Sequence, residues 1–326
     1  MTTARMVSLS EHGTADVIQL ISKELPAPGK GEVQLRQTAI GFNFIDVYQR
    51  AGAYPLDLPS GLGHEAVGVV EALGEGVTRF KVGDRVMYMN AGIGAYTSAR
   101  NVAVDKLVSV PENVSDEVAA AVFFKAMTAQ YLIQKTYKVK AGDVVLVHAA
   151  AGGVGQILAG WAKSLGAFVV GSVGSEAKFT VAKEAGCDAV VDYSKSNWVE
   201  EFLKATGGRK ANVVYDSVAK TTFLGSLDCA APFGTVALFG AASGPAPEIQ
   251  PEILNKKGCL FLTRPSVFPH NATPELLQEN ARAVFDAIAQ GRVKVQIGAK
   301  FKLEDAAQAH KAAEGRQVTG AIIITP

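Results

Sequence analysis

The sequence predicts an α/β fold in which a doubly wound parallel sheet is combined with a second, mostly β domain. Residues 1–110 carry short strand patterns separated by glycine and proline, whereas strand and helix patterns alternate from Asp143 onward. A glycine-rich turn at 149–155 joins one of these strands to a helix, and the chain closes on a further apolar strand pattern, 320–325. Alternating strands and helices are typical of right-handed βαβ units. The closing strand resembles the first block more than the second, so we expect a domain formed by both ends of the chain.

Length and composition bound the class of protein. A chain of 326 residues is too long for one ordinary core, so two domains are expected. With 32 Lys and Arg against 31 Asp and Glu, the net charge is +1, which predicts neither a nucleic-acid-binding nor a membrane-binding surface. The three cysteines lie far apart and form no disulfide framework. The amino terminus has no apolar signal core and no apolar run reaches ~18 residues, so we expect a cytoplasmic protein.

The elements follow in order along the chain. In the first block the alternating segment 32–36 and the apolar segment 66–70 predict strands, and Gly83-Asp84 marks a turn before the next strand. Ser115 is a suitable N-cap for a helix to Tyr137. The later predicted strands are 143–148, 167–173, 189–193, 212–218, 234–240 and 259–263, and the predicted helices are 153–165, 176–185 and 274–290, followed by the segment 302–314.

The glycine-rich turn has the context of a dinucleotide-binding loop. The apolar strand 144–148 ends in small residues and opens directly into an amphipathic helix. Ala150, Gly152 and Gly155 take the three glycine positions of the G-x-G-x-x-G pattern. Gly152 lets the backbone approach a pyrophosphate, and Gly155 lets the helix pack closely on the strand. The residues predicted to contact the cofactor here are Ala151, Gly152, Gly153, Val154 and Gly155.

The end of the next strand indicates which dinucleotide is bound. An NAD site usually has Asp or Glu about 20 residues after the glycines, where it holds the ribose 2′-hydroxyl. Gly174 and Ser175 stand there instead, Lys178 follows, and Tyr193 ends the next strand. Without the carboxylate a 2′-phosphate is not repelled, and the lysine and the hydroxyl groups can bind it. Glu176, in the first turn of the next helix, suits the helix dipole. NADPH is therefore predicted.

Motifs in register along the chain carry a family resemblance. They are residues 41–48 (GFNFIDVY), 61–68 (GLGHEAVG), 83–86 (GDRV), 149–155 (AAAGGVG), 214–218 (VYDSV) and 262–265 (LTRP). Over essentially its whole length the chain resembles the quinone oxidoreductases, the zeta-crystallin-like branch of the medium-chain dehydrogenase/reductase superfamily. The resemblance implies a GroES-like catalytic domain, residues 1–124 and 270–326, and a Rossmann NADPH-binding domain, residues 125–269, with the active cleft between them.

The resemblance also implies roles for individual residues. Residues that would line the cleft near the nicotinamide or border the substrate pocket, taken as catalytic, are Asn43, Asp46, Tyr48, Tyr54 and Thr128. Those that would bind the cofactor outside the glycine turn are Phe44, Tyr131, Gly174, Ser175, Lys178, Tyr193, Ser217, Phe239, Gly240, Thr263, Arg264, Pro265 and Arg316. Of these, Thr263, Arg264 and Pro265 would form the wall behind the nicotinamide. Lys125 would lie, with Arg316, near the phosphates or the mouth of the cleft.

The sequence predicts no metal site. Zinc-dependent relatives bind a catalytic metal through a cysteine in the first motif and the histidine of Gly-His-Glu. His64 is present, but Asn43 stands in place of the cysteine, and a neutral amide is a poor zinc ligand. The segment 87–96, in the region of the four-cysteine structural lobe, contains no cysteine. Alcohol oxidation through a metal-bound alkoxide would therefore lack its usual activation.

A metal-free cleft favours an acceptor that is already electron-poor, such as a quinone, which takes a hydride from nicotinamide C4. Asn43 would donate a hydrogen bond to the developing oxyanion, and Tyr48 and Tyr54 would stack on a flat ring or deliver a proton. Two alternatives stay open: reduction of an enone or enoyl thioester, and a non-enzymatic structural or RNA-binding role. The expected partners are a quinone or other electron-poor small molecule and a second copy of the chain, paired through an apolar strand near 234–240 or 259–263, with no nucleic acid and no membrane.

Overall fold

A computed structural model of the protein describes residues 2–294, 296–315 and 317–326. The chain forms two compact units. The first comprises Met1–Lys125, Asn271–Ala281 and Val295–Pro326, and the second comprises Ala126–His270 and Arg282–Lys294. The domain boundaries at 124/125 and 269/270 stay a prediction. Arg316, predicted to bind the cofactor, lies outside the described residues.

The structure defines the bounds of the strands and helices. The strands are β1 Thr2–Ser8, β2 Gln19–Leu25, β3 Glu32–Gly41, β4 Glu65–Leu73, β5 Arg85–Met89, β6 Ala99–Ala103, β7 Leu107–Ser109, β8 Val144–His148, β9 Phe168–Val173, β10 Ala189–Asp192, β11 Ala211–Asp216, β12 Ala230–Leu238, β13 Phe261–Thr263, β14 Ile297–Lys302 and β15 Ala321–Thr325. The helices are α1 Phe44–Arg50, α2 Asp116–Tyr131, α3 Gly153–Ser164, α4 Phe179–Glu184, α5 Trp198–Ala205, α6 Phe223–Cys229, α7 Glu252–Lys256, α8 Val267–His270, α9 Pro274–Ala289 and α10 Ala306–Glu314.

The first unit is built on a seven-stranded sheet with the order β14-β15-β3-β4-β5-β7, in which β6 also pairs with β3. The closing strand β15 pairs with β14 on one side and with β3 on the other. Leu35 and Ile40 from β3 share one buried apolar cluster with Ile322 and Ile324 from β15. Both ends of the chain therefore build one core, and the predicted GroES-like domain built from both chain ends is confirmed.

The second unit contains a six-stranded sheet with the order β10-β9-β8-β11-β12-β13, and every neighbouring pair is parallel. In sequence order this is 3-2-1-4-5-6, the arrangement of the doubly wound dinucleotide-binding fold. The predicted Rossmann sheet is thereby confirmed. Its topological switch point lies between β8 and β11, where ligands bind at the carboxyl ends of the strands in such sheets.

Three local predictions change in the structure. Ser115 caps α2 as expected, since its Oγ accepts a hydrogen bond from the Val118 amide at 3.2 Å, but the α-helix ends at Tyr131 and a π-helical turn, Leu132–Thr136, follows. The predicted helix 176–185 is divided into a 3₁₀ turn, Glu176–Lys178, and α4. The segment 302–314 opens with the last residue of β14 and a 3₁₀ turn before α10 begins.

Candidate functional site

The predicted cofactor-binding residues of the second unit gather at the carboxyl edge of its sheet. The glycine-rich turn follows β8, Gly174 and Ser175 follow β9, and Tyr193 follows β10. On the other side of the switch point, residues that follow the next strands are Ser217, Phe239 and Gly240. Because the carboxyl ends of parallel strands share one edge, residues separate in sequence form one continuous site.

The glycine-rich turn fits a dinucleotide pyrophosphate. Gly152 is the N-cap of α3, and no side chain caps the helix. The amides of the first turn therefore have no partner within the helix and favour an anion. A Cβ atom on Gly155 would lie 2.2 Å from the Ala149 carbonyl oxygen, so only glycine permits this approach of α3 to β8. On Gly152 a Cβ would meet only that same oxygen, at 3.1 Å, so its other side is open. This cradle is what the cofactor requires.

The end of β9 has the features expected for a 2′-phosphate site. A Cβ on Gly174 would lie 2.9 Å from the Tyr193 hydroxyl oxygen, so the tyrosine lies directly against this segment. Lys178 closes the 3₁₀ turn that follows Ser175. The Glu176 carboxylate pairs with Lys195 at 2.5 Å, which compensates the one acidic charge of this turn.

The segment Thr263–Pro265 is held against the ends of two neighbouring strands. The Arg264 guanidinium donates through Nη1 to the carbonyl oxygens of Leu238 and Gly240, both at 2.9 Å. A Cβ on Gly240 would lie 2.6 Å from the Ser217 carbonyl oxygen, so these predicted residues are in contact. The segment Thr263–Pro265 also lines a cavity of about 590 Å³ together with His270. Tyr131 is buried and stacks on His270 with ring centroids 4.4 Å apart.

A buried polar cluster in the first unit surrounds Asn43, and we call it the Asn43 cluster; its members are Asn43, Asp46, Glu65, Tyr96 and Lys125. The Asn43 amide donates through Nδ2 to Glu65 Oε1 at 2.8 Å, and its Oδ1 accepts from Lys125 Nζ at 3.2 Å. Lys125 also donates to the Phe42 carbonyl at 2.9 Å. Both the nitrogen and the oxygen of the Asn43 amide therefore form hydrogen bonds, which fixes the orientation of the amide.

Asp46 acts inside this cluster, not at a surface. It is the third residue of α1, and its Oδ2 accepts from the Asn43 backbone amide at 2.9 Å and from the Tyr96 hydroxyl at 3.0 Å. This is a capping box, which fixes the start of α1. Asp46 is fully buried, and its Oδ1 has no hydrogen-bond partner among the described residues. The catalytic role of Asp46 stays a prediction, and the structure shows that its side chain fixes the position of Asn43.

Burial dominates the charge states of the cluster. Desolvation raises the pKa of Asp46 to about 7, against the lowering effect of its hydrogen bonds to Asn43 and Tyr96. Burial also raises the pKa of Glu65, which Lys125 opposes, and lowers the pKa of Lys125, which Glu65 opposes. Lys125 and Glu65 are 3.9 Å apart, so each stabilises the charged form of the other.

The raised pKa of Asp46 predicts how stability depends on pH. The folded protein holds this proton up to about pH 7, whereas the unfolded chain releases it near the ordinary value of 3.8. Folding stability should therefore fall between these pH values as pH rises, by on the order of a few kcal/mol. Urea unfolding at pH 5 and pH 8 measures the loss, and Asp46→Asn should reduce it.

Asp16→Asn is the matched control for this prediction. The exposed Asp16 pairs with Lys311 at 2.6 Å, which lowers the pKa of the carboxyl. Its contribution has the opposite sign and is lost only as pH falls. A wild-type protein that is equally stable at pH 5 and pH 8, or an Asp46→Asn variant with the wild-type pH profile, would contradict the assignment.

The remaining predicted residues form an aromatic group beside α1 or lie on α2. Tyr48 is 5.3 Å from Phe44 and 5.0 Å from Tyr54 between ring centroids. Phe44 is exposed and both tyrosines are half-buried, so the group offers a partly open aromatic surface. Thr128 is buried on α2 and belongs to the second unit.

Comparisons with known proteins identify the family. A model of the alcohol dehydrogenase GroES-like domain matches residues 29–112, and a model of the zinc-binding dehydrogenase domain matches residues 153–282. The chain is 44% identical to a quinone oxidoreductase of Pseudomonas aeruginosa over 324 residues, which cover 99% of this chain and 100% of the relative. The chain belongs to the quinone oxidoreductase family.

Two other members of this family bear on function. The crystal structure of Escherichia coli quinone oxidoreductase complexed with NADPH has 42% identity to this chain, covers 100% of both chains and superposes with a TM-score of 0.95. A 2-haloacrylate reductase from a Burkholderia species is 44% identical over 307 residues, 92% of each chain. Relatives with 42–44% identity to this chain are thus named for two different classes of acceptor, a quinone and a 2-haloacrylate.

The side chains of this protein do not fit a catalytic zinc ion, although one matching family model is named for zinc. His64 Nε2 lies 2.9 Å from Gln49 Oε1, and burial lowers the pKa of His64 to about 4. The cation beside Asn43 and Glu65 is the Lys125 ammonium. Within the described residues no group of three or more His, Cys, Asp or Glu side chains is placed to hold a metal ion.

Sequence reasoning missed part of the Asn43 cluster. Glu65 and Tyr96 were not singled out, and Lys125 was expected near the phosphates or the cleft mouth, whereas the structure places it against Asn43. One signal was available: Glu65 stands directly before the apolar run 66–70, and a buried carboxylate requires a partner. No helix in the described parts of the chain has the length and apolar character to cross a bilayer.

Proposed function

We propose that this protein is an NADPH-dependent quinone reductase that works without a metal ion. The observation that carries the proposal is the end of β9, where Gly174, Lys178 and Tyr193 stand in place of the carboxylate of an NAD site. The name of the 44%-identical relative over the full chain supports the acceptor class. A cytoplasmic location is part of the proposal and is supported by the free thiols of Cys187, Cys229 and Cys259.

The bound cofactor would supply the hydride from nicotinamide C4, and the protein would supply binding, orientation and charge stabilisation. The glycine-rich turn and the first amides of α3 would hold the pyrophosphate. The Asn43 Nδ2 group carries two protons, and Glu65 accepts one of them. Lys125 donates to Oδ1, so the nitrogen end of the amide is the end that presents the second proton. We assign that proton to the oxyanion that develops on the quinone when the hydride arrives. The reduced acceptor then takes one proton from solvent.

Steady-state rates test this proposal directly. With NADPH, we expect turnover of 1,4-benzoquinone and 9,10-phenanthrenequinone, and with NADH much lower kcat/KM for the same acceptors. Full activity should persist after exhaustive treatment with a metal chelator. Turnover confined to crotonyl-CoA, or activity that disappears with the chelator and returns with Zn²⁺, would refute the proposal.

A second candidate function is reduction of an activated alkene. It is favoured by the 44% identity to a 2-haloacrylate reductase. A hydride added to the β-carbon of such a substrate creates an enolate, which the same Asn43 donor could stabilise. Rates with crotonyl-CoA, and with 2-chloroacrylate as an added substrate in the same assay, distinguish this candidate, since a quinone reductase should turn both over slowly. Failure to turn over any acceptor would favour the non-enzymatic binding role.

Lys178→Ala tests the choice of cofactor. Loss of the ammonium near a 2′-phosphate should weaken NADPH binding about tenfold while NADH binding stays within twofold, since one charge-assisted hydrogen bond is lost only with the phosphorylated cofactor. Dissociation constants from nicotinamide fluorescence give both values. Lys183→Ala on α4, whose Nζ bonds to the Asp188 carbonyl, is the matched control and should leave both constants unchanged. Equal weakening for both cofactors by Lys178→Ala would show that the lysine does not read the 2′-phosphate.

We further propose that the protein is a homodimer formed through β13. This strand is an edge of the six-stranded sheet and is paired only with β12 on its inner side. Phe261 on β13 is 63% exposed, and Phe233 is 70% exposed. The Phe233 amide donates to the Gly258 carbonyl at 2.7 Å, which keeps the two phenylalanines on neighbouring segments. Unpaired edge strands with apolar side chains favour pairing with a second chain.

Phe261→Asp should convert such a dimer into a monomer. A charged side chain at a paired edge strand must be desolvated, which disfavours association. Sedimentation equilibrium should give twice the chain mass for wild type and the chain mass for the variant. Val82→Asp is the matched control, since Val82 is also 60% exposed but lies in the first unit. A monomeric wild type would contradict the proposal.

A further inference from the structure

A buried hydrogen-bonded chain in the second unit has no part in the proposed reaction. We call it the His148 chain; its members are Ser172, His148, Ser226 and Asp216. His148, the last residue of β8, is fully buried, with Nδ1 2.5 Å from Ser172 Oγ and Nε2 2.9 Å from Ser226 Oγ. The Ser226 hydroxyl donates to Asp216 Oδ2 at 2.8 Å. Polar groups buried in such a sheet require an explanation.

The chemistry of the members fixes the direction of every bond. The Asp216 carboxylate is an acceptor, and it also accepts from the amides of Val218 and Ala219 at 2.9 and 3.0 Å and from the Thr222 hydroxyl. The Ser226 proton is therefore committed to Asp216, and Ser226 Oγ must accept from His148 Nε2–H. Burial lowers the pKa of His148, so the imidazole is neutral and Nδ1 carries no proton. His148 Nδ1 therefore accepts from the Ser172 hydroxyl.

Asp216 is thereby explained as a structural group. Its Oδ1 accepts amide hydrogen bonds two and three residues ahead, which caps the turn after β11. Asp216 is fully buried, and its second oxygen anchors the His148 chain.

The His148 chain connects the strand ends that carry the predicted cofactor residues. Ser172 lies two residues before Gly174, and its carbonyl accepts from the Ala150 amide of the glycine-rich turn at 3.0 Å. The His148 ring meets the Tyr193 ring edge to face, with centroids 6.3 Å apart. Tyr193 in turn lies against Gly174. One buried imidazole thus supports both segments that would surround a 2′-phosphate.

We propose that His148 is a positioning residue that makes the site selective for a cofactor with a 2′-phosphate, by holding the Gly174 segment through Ser172 and the Tyr193 ring through its edge. This inference rests on the proposed NADPH binding. His148 touches no ligand itself; its effect passes through residues that do. Second-layer hydrogen bonds of this kind determine how well the contacting groups are placed.

Binding measurements on His148→Phe test the inference. Phenylalanine keeps an aromatic ring but breaks both hydrogen bonds. The dissociation constant for NADPH should rise about tenfold, the factor that corresponds to one ordinary hydrogen bond. The constant for NADH, and kcat at saturating NADPH, should stay within about twofold, since neither depends on a placed 2′-phosphate site. His148→Gln, which can still donate and accept, should restore most of the NADPH affinity. Ser164→Ala, which removes a hydroxyl at the far end of α3, should change nothing.

Equal weakening for NADPH and NADH, or an unchanged constant for NADPH in folded His148→Phe, would overturn the inference. If His148→Phe does not fold, Ser172→Ala removes a single bond and should give a smaller loss confined to NADPH. Nitrogen-15 chemical shifts of the imidazole provide a reading without cofactor: they should show the Nε2–H tautomer from pH 6 to pH 8, and an imidazolium or Nδ1–H form would overturn the assigned directions. A wild-type protein that binds neither dinucleotide would refute the proposed function itself.

Discussion

Lys125→Met should lower kcat for quinone reduction about a hundredfold, the loss seen when a donor to a developing oxyanion is removed or misplaced. Lys125 donates to Asn43 Oδ1 at 3.2 Å, and Glu65 accepts from Asn43 Nδ2 at 2.8 Å. Without the ammonium the amide is held through Nδ2 alone, so its second Nδ2 proton is placed less accurately toward the acceptor. KM for NADPH should stay within about twofold, because the glycine-rich turn belongs to the second unit.

The same substitution should also destabilise the first unit. Glu65 is fully buried, and removal of Lys125 leaves its carboxylate without a counter-charge. Breaking a buried pair in this way costs about 3–5 kcal/mol. The double variant Lys125→Met with Glu65→Gln removes both charges and should recover most of the stability. The double variant should not recover kcat, since the hydrogen bond from Lys125 to Asn43 Oδ1 is still missing.

The combination of variants separates positioning from stability. Lys300→Met is the matched control, because Lys300 forms an exposed ion pair with Glu117 at 2.6 Å, and such pairs contribute little. Guanidinium unfolding and stopped-flow turnover of 1,4-benzoquinone give the two quantities. A double variant with wild-type kcat would show that Lys125 only stabilises the fold, and a folded single variant with wild-type kcat would exclude its part in positioning Asn43.

The glycine-rich turn and the segment after β9, the predicted cofactor contacts of the second unit, could be located from the sequence because their signals are local. Gly152 and Gly155 stand at fixed offsets between an apolar strand and an amphipathic helix, and the absence of a carboxylate near Gly174 can be read directly. The strand order then brings these short segments to one edge. The glycine pattern of the turn and the packing of α3 on β8 both require glycine at the same position, Gly155.

The Asn43 cluster was predictable only in part, because its contacts join residues far apart in sequence. Asn43 was recognised from its motif, but its side-chain partners come from β4 and α2, and the Tyr96 hydroxyl that bonds to Asp46 comes from the segment before β6. The full burial of Asp46 also has no sequence signal, since a carboxylate at the third position of a helix is usually exposed there. Only the folded structure shows that the charge of Lys125 lies inside this cluster.

The local errors have a similar physical origin. The helix predicted for 176–185 begins as a 3₁₀ turn, in which the Glu176 side chain bonds to Lys195 from beyond β10. The strand β14 was missed because its exposed positions carry glycine and lysine, and its strand conformation depends on pairing with β15. In both places tertiary contacts override local propensity.

Gly155→Ala should abolish measurable NADPH binding and destabilise the second unit, whereas Gly152→Ala should weaken binding and leave stability nearly unchanged. A Cβ on Gly155 would lie 2.2 Å from the Ala149 carbonyl oxygen and 2.8 Å from Ala150 Cα, both backbone atoms that cannot move aside. The amino-terminal end of α3 must therefore shift away from β8. Overpacking of this kind typically costs about 1–3 kcal/mol, and occasionally more.

Gly152 differs because its backbone suits any residue, with φ −82° and ψ 169°, and a Cβ there meets only one atom, at 3.1 Å. Its methyl group would instead stand where a pyrophosphate approaches the first amides of α3, so the dissociation constant for NADPH should rise about tenfold or more. Thermal unfolding gives the stability of each variant, and NADPH titration gives its dissociation constant. Equal loss of stability in both would mean that the turn is strained as a whole. Unchanged NADPH affinity in Gly152→Ala would mean that the pyrophosphate does not bind there, because a methyl group in that approach cannot be accommodated without moving either α3 or the cofactor.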